Sequence, residues 1–235
     1  MTAKNETRIN EWFVPKFGPA RFRVFVGLLF LPYTGMCISF ALIGSFLVSD
    51  IAWDRVGAIA VIYALGLGVS AHIADSIGSK NAKPWGRYFT KAQLITVMGA
   101  TLIIAYAIGT YYILSFVPLL AVVAVLEGFF LFVYNFETFG GHFHNNFWFA
   151  ISWGVLPLLS GYIIQTNSVN AIALVASAAT GFVSYLEIKM SRPYKELKKR
   201  GENQKAKRLE FGLKTLSVGT IGFAMAILAY KIILS

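Results

Sequence analysis

Long apolar runs separated by short polar breaks dominate the chain. Seven of them approach the ~20 residues a helix needs to cross a bilayer. They run from Phe22 to Val48, Val56 to Gly78, Ala92 to Tyr112, Val117 to Tyr134, Phe147 to Ile164, Ala171 to Ile188 and Leu213 to Leu234. The pattern predicts an all-α, polytopic membrane helix bundle. Tyr111 and Tyr112, followed by a Ser-Phe-Val-Pro turn before Leu119, predict a tight hairpin between the third and fourth runs. No internal repeat or low-complexity stretch interrupts the series, so residues 1–235 read as one membrane domain.

Composition excludes a water-soluble globule: 57% of residues are hydrophobic, 14% are charged, and the mean hydropathy is +0.63. The net charge of +10 would suit nucleic acid, but the cations flank the apolar runs and the aromatics lie inside them, which argues against that partner. Charge does fix an orientation, because Lys and Arg near span ends collect on the cytoplasmic side. With seven spans, all but two of the 21 basic residues fall on one side, Arg55 and Lys231 being the exceptions. Six or eight spans would scatter them. The N-terminus and the basic face are therefore expected to be cytoplasmic, in the cell membrane. No small-residue cleavage site follows the opening polar residues, which argues against a removable signal peptide. Residues 189–212 form a basic cytoplasmic loop between the sixth and seventh spans. Its sequence reads as a short amphipathic helix broken at Gly201, suited to anionic headgroups. A single cysteine, Cys37, rules out an internal disulfide or a multi-cysteine zinc site.

Ionisable groups at the end of a span are costly to place there and so mark candidate chemistry. His72 and Asp75 lie three apart at the end of the second span, on one helical face. They could share a proton or a metal ion, or Asp75 could simply orient the imidazole. Lys80, Lys83 and Arg87 follow, with Gly78, Pro84 and Gly86 letting the loop fold back. These cations suit a phosphate or diphosphate, although the positive-inside bias alone also accounts for them. A second cluster lies between Tyr134 and Trp148, where Asn135, Glu137, His142 and His144 surround the Gly140–Gly141 turn. Oxygen and imidazole donors of this kind could hold one divalent ion. Glu127 falls inside the fourth span and needs a proton or a partner, such as a Tyr or Trp of another helix. Gly66, Gly68, Gly154, Ser160, Gly161 and the run from Ala176 permit close helix contact. The aromatics from Phe129 to Phe149 form either an interfacial belt or a wall for a hydrophobic tail.

The stretch AHIADSIGSKNAKPWGR resembles the Asn/Asp-rich motif that ends the second span of the UbiA-type intramembrane prenyltransferase superfamily. His72 stands at the first Asn, Asp75 at the Asn of the Asn-Asp pair, and Lys83, Pro84, Gly86 and Arg87 match the following loop. YNFETFGGHFHNNFWFAISWGVLPLLSGY is similar to that family's entry into its fifth span, and the likeness extends over residues 21–190. Ser76 and Ser79 stand where acids are expected, and LEIKMSRPYKELKKRG after the sixth span has Glu187 and Glu196 but no second Asp-rich motif. The family usually has nine spans rather than seven.

The resemblance implies prenyl transfer, or related chemistry, on an isoprenoid or other lipid-soluble substrate at the cytoplasmic face, with Mg²⁺ on a prenyl diphosphate. His72, Asp75 and Glu137 would be catalytic. Lys80, Lys83, Arg87 and Asn135 would bind substrate, and Asp75, Glu137, His142 and His144 would hold metal. Two alternatives stay open: a non-catalytic UbiA-shaped subunit binding lipid, quinone or haem, and a metal-dependent membrane enzyme of another reaction type. A transporter is disfavoured, because the ionisable residues gather at one face.

Overall fold

In a bilayer every backbone polar group must be satisfied within its own segment, so uninterrupted apolar runs become helices. The computed structural model describes residues 8–78 and 88–234, and every regular element among them is helical. After a short 3₁₀ turn at Arg8–Asn10 come α1 (Ala20–Ser45), α2 (Trp53–Gly78), α3 (Lys91–Ser115), α4 (Leu120–Asn135), α5 (Asn146–Thr166), α6 (Ala171–Lys199) and α7 (Asn203–Leu234). All but α4 are long and apolar enough to cross a membrane. The 16 residues of α4 span about 24 Å at the ordinary helical rise. Ser115 and Leu120 bound the tight connection from α3, as the sequence pattern predicts.

Side chains at the two ends show how the helices alternate. At one end Arg55 donates to the carbonyls of Ile164 (3.1 Å) and Gln165 (3.2 Å), and Lys231 donates to that of Val48 (2.9 Å). Each cation thus meets carbonyls near the C-terminal end of a neighbouring helix, where positive charge is favoured. The Leu119 amide donates to Asn167 Oδ1 (2.9 Å), which places the start of α4 at this same end. At the other end, the basic end, Gly78 closes α2 directly against the Asn135 carbonyl at the end of α4. A side chain on Gly78 would collide with that carbonyl.

Small residues bring α5 against its neighbours. Gly44 faces the Leu158 carbonyl, Gly161 faces the Ala41 carbonyl, and Ser45 donates to the Gly161 carbonyl at 3.0 Å. On its other side, Gly154 meets Thr180 and Gly181 of α6, and Ser184 donates to the Trp153 carbonyl at 3.0 Å. Helix-to-helix packing is therefore one role of Gly154, Gly161 and the run from Ala176. The outward faces stay apolar: Ile103 and Leu114 of α3, Val125 of α4 and Phe223 of α7 are all exposed, as suits lipid.

Three local breaks were not visible in the apolar pattern. Helix α1 is interrupted at Phe30, whose φ of 43° is left-handed. Helices α2 and α5 each contain a wider, π-helical turn, at Ala64–Ala71 and Ile151–Val155. Such features gather near functional sites. The basic segment 189–212 is helical and interrupted at Gly201, as its sequence predicts: α6 runs on through Pro193 to Lys199, and α7 begins at Asn203 after the turn. Burial of Glu187, Ser191 and Tyr194 along one face of α6 carries the helix past the point where its apolar run stops.

Candidate functional site

A chain of aromatic rings joins the two sequence clusters. The His144 ring lies 4.5 Å from that of Tyr134, Tyr134 lies 5.8 Å from Phe149, and Phe149 stacks on Trp153 at 5.5 Å. Trp153 lies 5.0 Å from His72, and His72 stacks on Phe30 at 4.8 Å. The π-helical turns of α2 and α5 and the left-handed break in α1 flank the inner part of this series. His72 Nε2 is buried and has no hydrogen-bond partner. His144 Nδ1 lies 2.9 Å from the Tyr134 carbonyl, so that nitrogen must carry a proton and donate.

Charges from three parts of the chain, the N-terminal segment, α2 and α6, surround the inner rings. The guanidinium of Arg8 sits 4.7 Å from the centre of the Phe30 ring and the Lys195 ammonium 5.6 Å from it. Both cations act on His72. Lys195 lies within electrostatic range of Asp75, Glu187 and Glu11. Glu187 is 3% exposed and lies near enough to Tyr33 and Tyr134 for its charge to reach both hydroxyls. Arg192 donates to the Tyr134 hydroxyl (3.3 Å) and to the His144 carbonyl (3.4 Å), which clamps the α4–α5 connection onto α6. Tyr194 donates to Glu11 (2.6 Å) and holds the N-terminal segment beneath α6. Buried charges persist only when they are paired in this way.

Of the expected site residues, His72 and Asp75 lie in this cluster. Asn135 is buried at the end of α4 and donates to the Leu131 carbonyl at 2.7 Å, so its amide closes its own helix. Glu137 sits in the turn after α4 with a left-handed φ of 49°. His142 is exposed and edge-on to Phe143. Lys80, Lys83 and Arg87 lie outside the described residues.

The expected shared metal set is not assembled among the described residues. Among the described residues, no three His, Cys, Asp or Glu side chains gather closely enough to hold one ion. His144 is turned onto Tyr134, His142 faces outward, and Asp75 belongs to the Lys195 network. Asp75, Glu137, His142 and His144 are therefore not a preformed ligand set.

The sequence reading missed Arg8, Tyr33, Arg192 and Lys195. A signal existed in the spacing of Glu187, Ser191 and Lys195, four residues apart and so on one face of α6. Compared with known proteins, the chain matches no family model, no curated protein and no solved structure.

Proposed function

We propose that the chain is a UbiA-like membrane protein with seven crossings and its basic end in the cytoplasm. It engages an isoprenoid or similar lipid-soluble molecule by an anionic head and transfers the prenyl group. The observation that carries this reading is the meeting of an aromatic wall with a group of cations around the unpartnered Nε2 of His72. An amphiphile with a charged head and an apolar tail needs that combination.

The described donor set does not fit a divalent ion. Asp75 and Glu187 both lie within electrostatic range of Lys195, and no third ligand joins them. Side-chain cations hold the head instead: Arg8, Arg192 and Lys195, joined by Lys80, Lys83 and Arg87. In transfer, the allylic C–O bond breaks and diphosphate leaves with the electron pair. The acceptor's nucleophile then bonds to the allylic carbon and gives its proton to His72 Nε2.

The purified protein in lipid nanodiscs, given geranylgeranyl diphosphate and a lipid extract as the source of acceptor, tests this. Wild type should bind the diphosphate and release inorganic diphosphate, with EDTA making no difference. Lys195→Met should weaken binding about tenfold, as loss of one charged hydrogen-bond partner does. His72→Phe keeps the stacked ring and should abolish release while sparing binding. Binding without release in wild type would replace transfer with a carrier or subunit role. Folded wild type that binds no prenyl diphosphate would overturn both.

A further inference from the structure

A second polar group lies in the middle of the bundle, away from the basic end. Glu127 of α4 lines an apolar cavity between α2, α3 and α4, together with Tyr63, Gly66, Gly109, Gly128 and Ser160. Gly66 and Gly109 leave open space where side chains would otherwise stand, and Gly128 makes room for the Tyr106 hydroxyl. Tyr106 crosses the seam between α3 and α4: it is 42% exposed, and its hydroxyl donates to the Ala124 carbonyl at 3.0 Å. The exposed face beside it, with Ile103 and Val125, is apolar.

Counting hydrogens fixes the state of the carboxyl group. The Tyr63 hydroxyl lies 2.8 Å from Glu127 Oε1 and 2.5 Å from Ser160 Oγ, while Ser160 Oγ lies 2.8 Å from the Leu156 carbonyl. These three contacts need three hydrogens, and the two hydroxyls supply only two. The count closes when the third is the carboxyl's own, on Oε1, so that hydrogens run from Glu127 to Tyr63 to Ser160 to the Leu156 carbonyl. Glu127 Oε2 is then a carbonyl-type acceptor. It is buried and has no partner. A buried acceptor left unpaired costs about 1–3 kcal/mol, so it marks a place where a donor belongs.

We propose that this cavity binds a lipid-soluble alcohol: a slender apolar chain lying among the glycines, with its hydroxyl donating to Glu127 Oε2. The requirement for a donor excludes quinones and esters, which only accept. Entry is lateral, from the bilayer, past Tyr106. This site depends on neither the aromatic chain nor the cations of the basic end, so it stands apart from the transfer reading above.

The test is equilibrium binding of radiolabelled 1-hexadecanol and of hexadecyl methyl ether, which has the same chain and no donor, to the protein in nanodiscs. Wild type should bind the alcohol about tenfold more tightly than the ether. Glu127→Gln should keep that preference, since its amide can donate to Tyr63 and accept through its oxygen. Glu127→Leu should lose it while remaining monodisperse with an unchanged helical spectrum. The infrared spectrum of wild type at neutral pH should show a protonated-carboxyl band that is missing in Glu127→Gln. Equal binding of alcohol and ether by wild type, retention of the preference by Glu127→Leu, or an ionised Glu127 would each overturn the proposal.

Discussion

Glu187 is buried on α6 and balances Lys195 within the cluster at the basic end. A buried carboxyl group replaced by a methyl leaves the polar groups around it without their partner. Glu187→Ala should therefore lower the denaturation midpoint in detergent well below that of Glu187→Gln, which keeps a polar group in place. Equal midpoints would show that the charge is not engaged. Tyr63 is fully enclosed and links two helices through its hydroxyl. Tyr63→Phe should cost about 1–2 kcal/mol in the same assay. Legibility at this scale followed contrast. His72 and Glu127 stand out because their neighbours are apolar. Lys195 sits in a run of cations that the positive-inside bias already explains, so nothing marked it as part of the cluster.

Helix α5 illustrates how an element is fixed by what it lacks. A Cβ on Gly161 would meet the Ala41 carbonyl of α1, whereas one on Gly57 of α2 would meet nothing. Gly161→Ala should then lose about 2 kcal/mol to overpacking. Gly57→Ala should gain a few tenths to about 1 kcal/mol from helix propensity. Thermal denaturation of both variants checks the pair, and similar shifts would contradict the packing. The start of α7 carries a pH dependence. Lys205 bonds to Glu202 at 2.7 Å and holds that carboxyl below its usual range. The folded value is lower than the unfolded one, so the stabilisation is complete above the ordinary carboxylate pKa and disappears as pH falls through the folded value. Amide exchange in the first turn of α7 should quicken in that acid window, and Glu202→Gln should remove the effect. The apolar period located the first five of these helices to within about three residues at each end, but ended α6 at Ile188 instead of Lys199 and began α7 at Leu213 instead of Asn203. It could not show the break at Phe30, because a left-handed residue held by stacking on His72 and Tyr33 has no signature in hydropathy. Nor could it show α6 passing Ile188, since the burial there belongs to polar residues.

Among the described residues, apolar side chains face outward along α3, α4, α6 and α7, while polar groups gather at the two ends of the bundle and in the Glu127 cavity. The helical membrane architecture was legible because hydropathy and charge position both report it. The convergence of α2, α4 and α6 at one end was legible only in part. Gly78 and Asn135 meet as the clustering of polar loops suggested, yet rings and a lysine network join the clusters where a metal ion was expected. The account's central claim is that this end recognises a charged head and an apolar tail on one molecule. Ligand binding to the folded state raises the unfolding temperature. The direct measurement is therefore the unfolding temperature of the nanodisc-embedded protein with geranylgeranyl diphosphate, with geranylgeraniol, and with inorganic diphosphate. The account predicts a rise with geranylgeranyl diphosphate that exceeds the sum of the other two and that Lys195→Met removes. A rise with inorganic diphosphate that matches it, or no rise with geranylgeranyl diphosphate, would contradict the account.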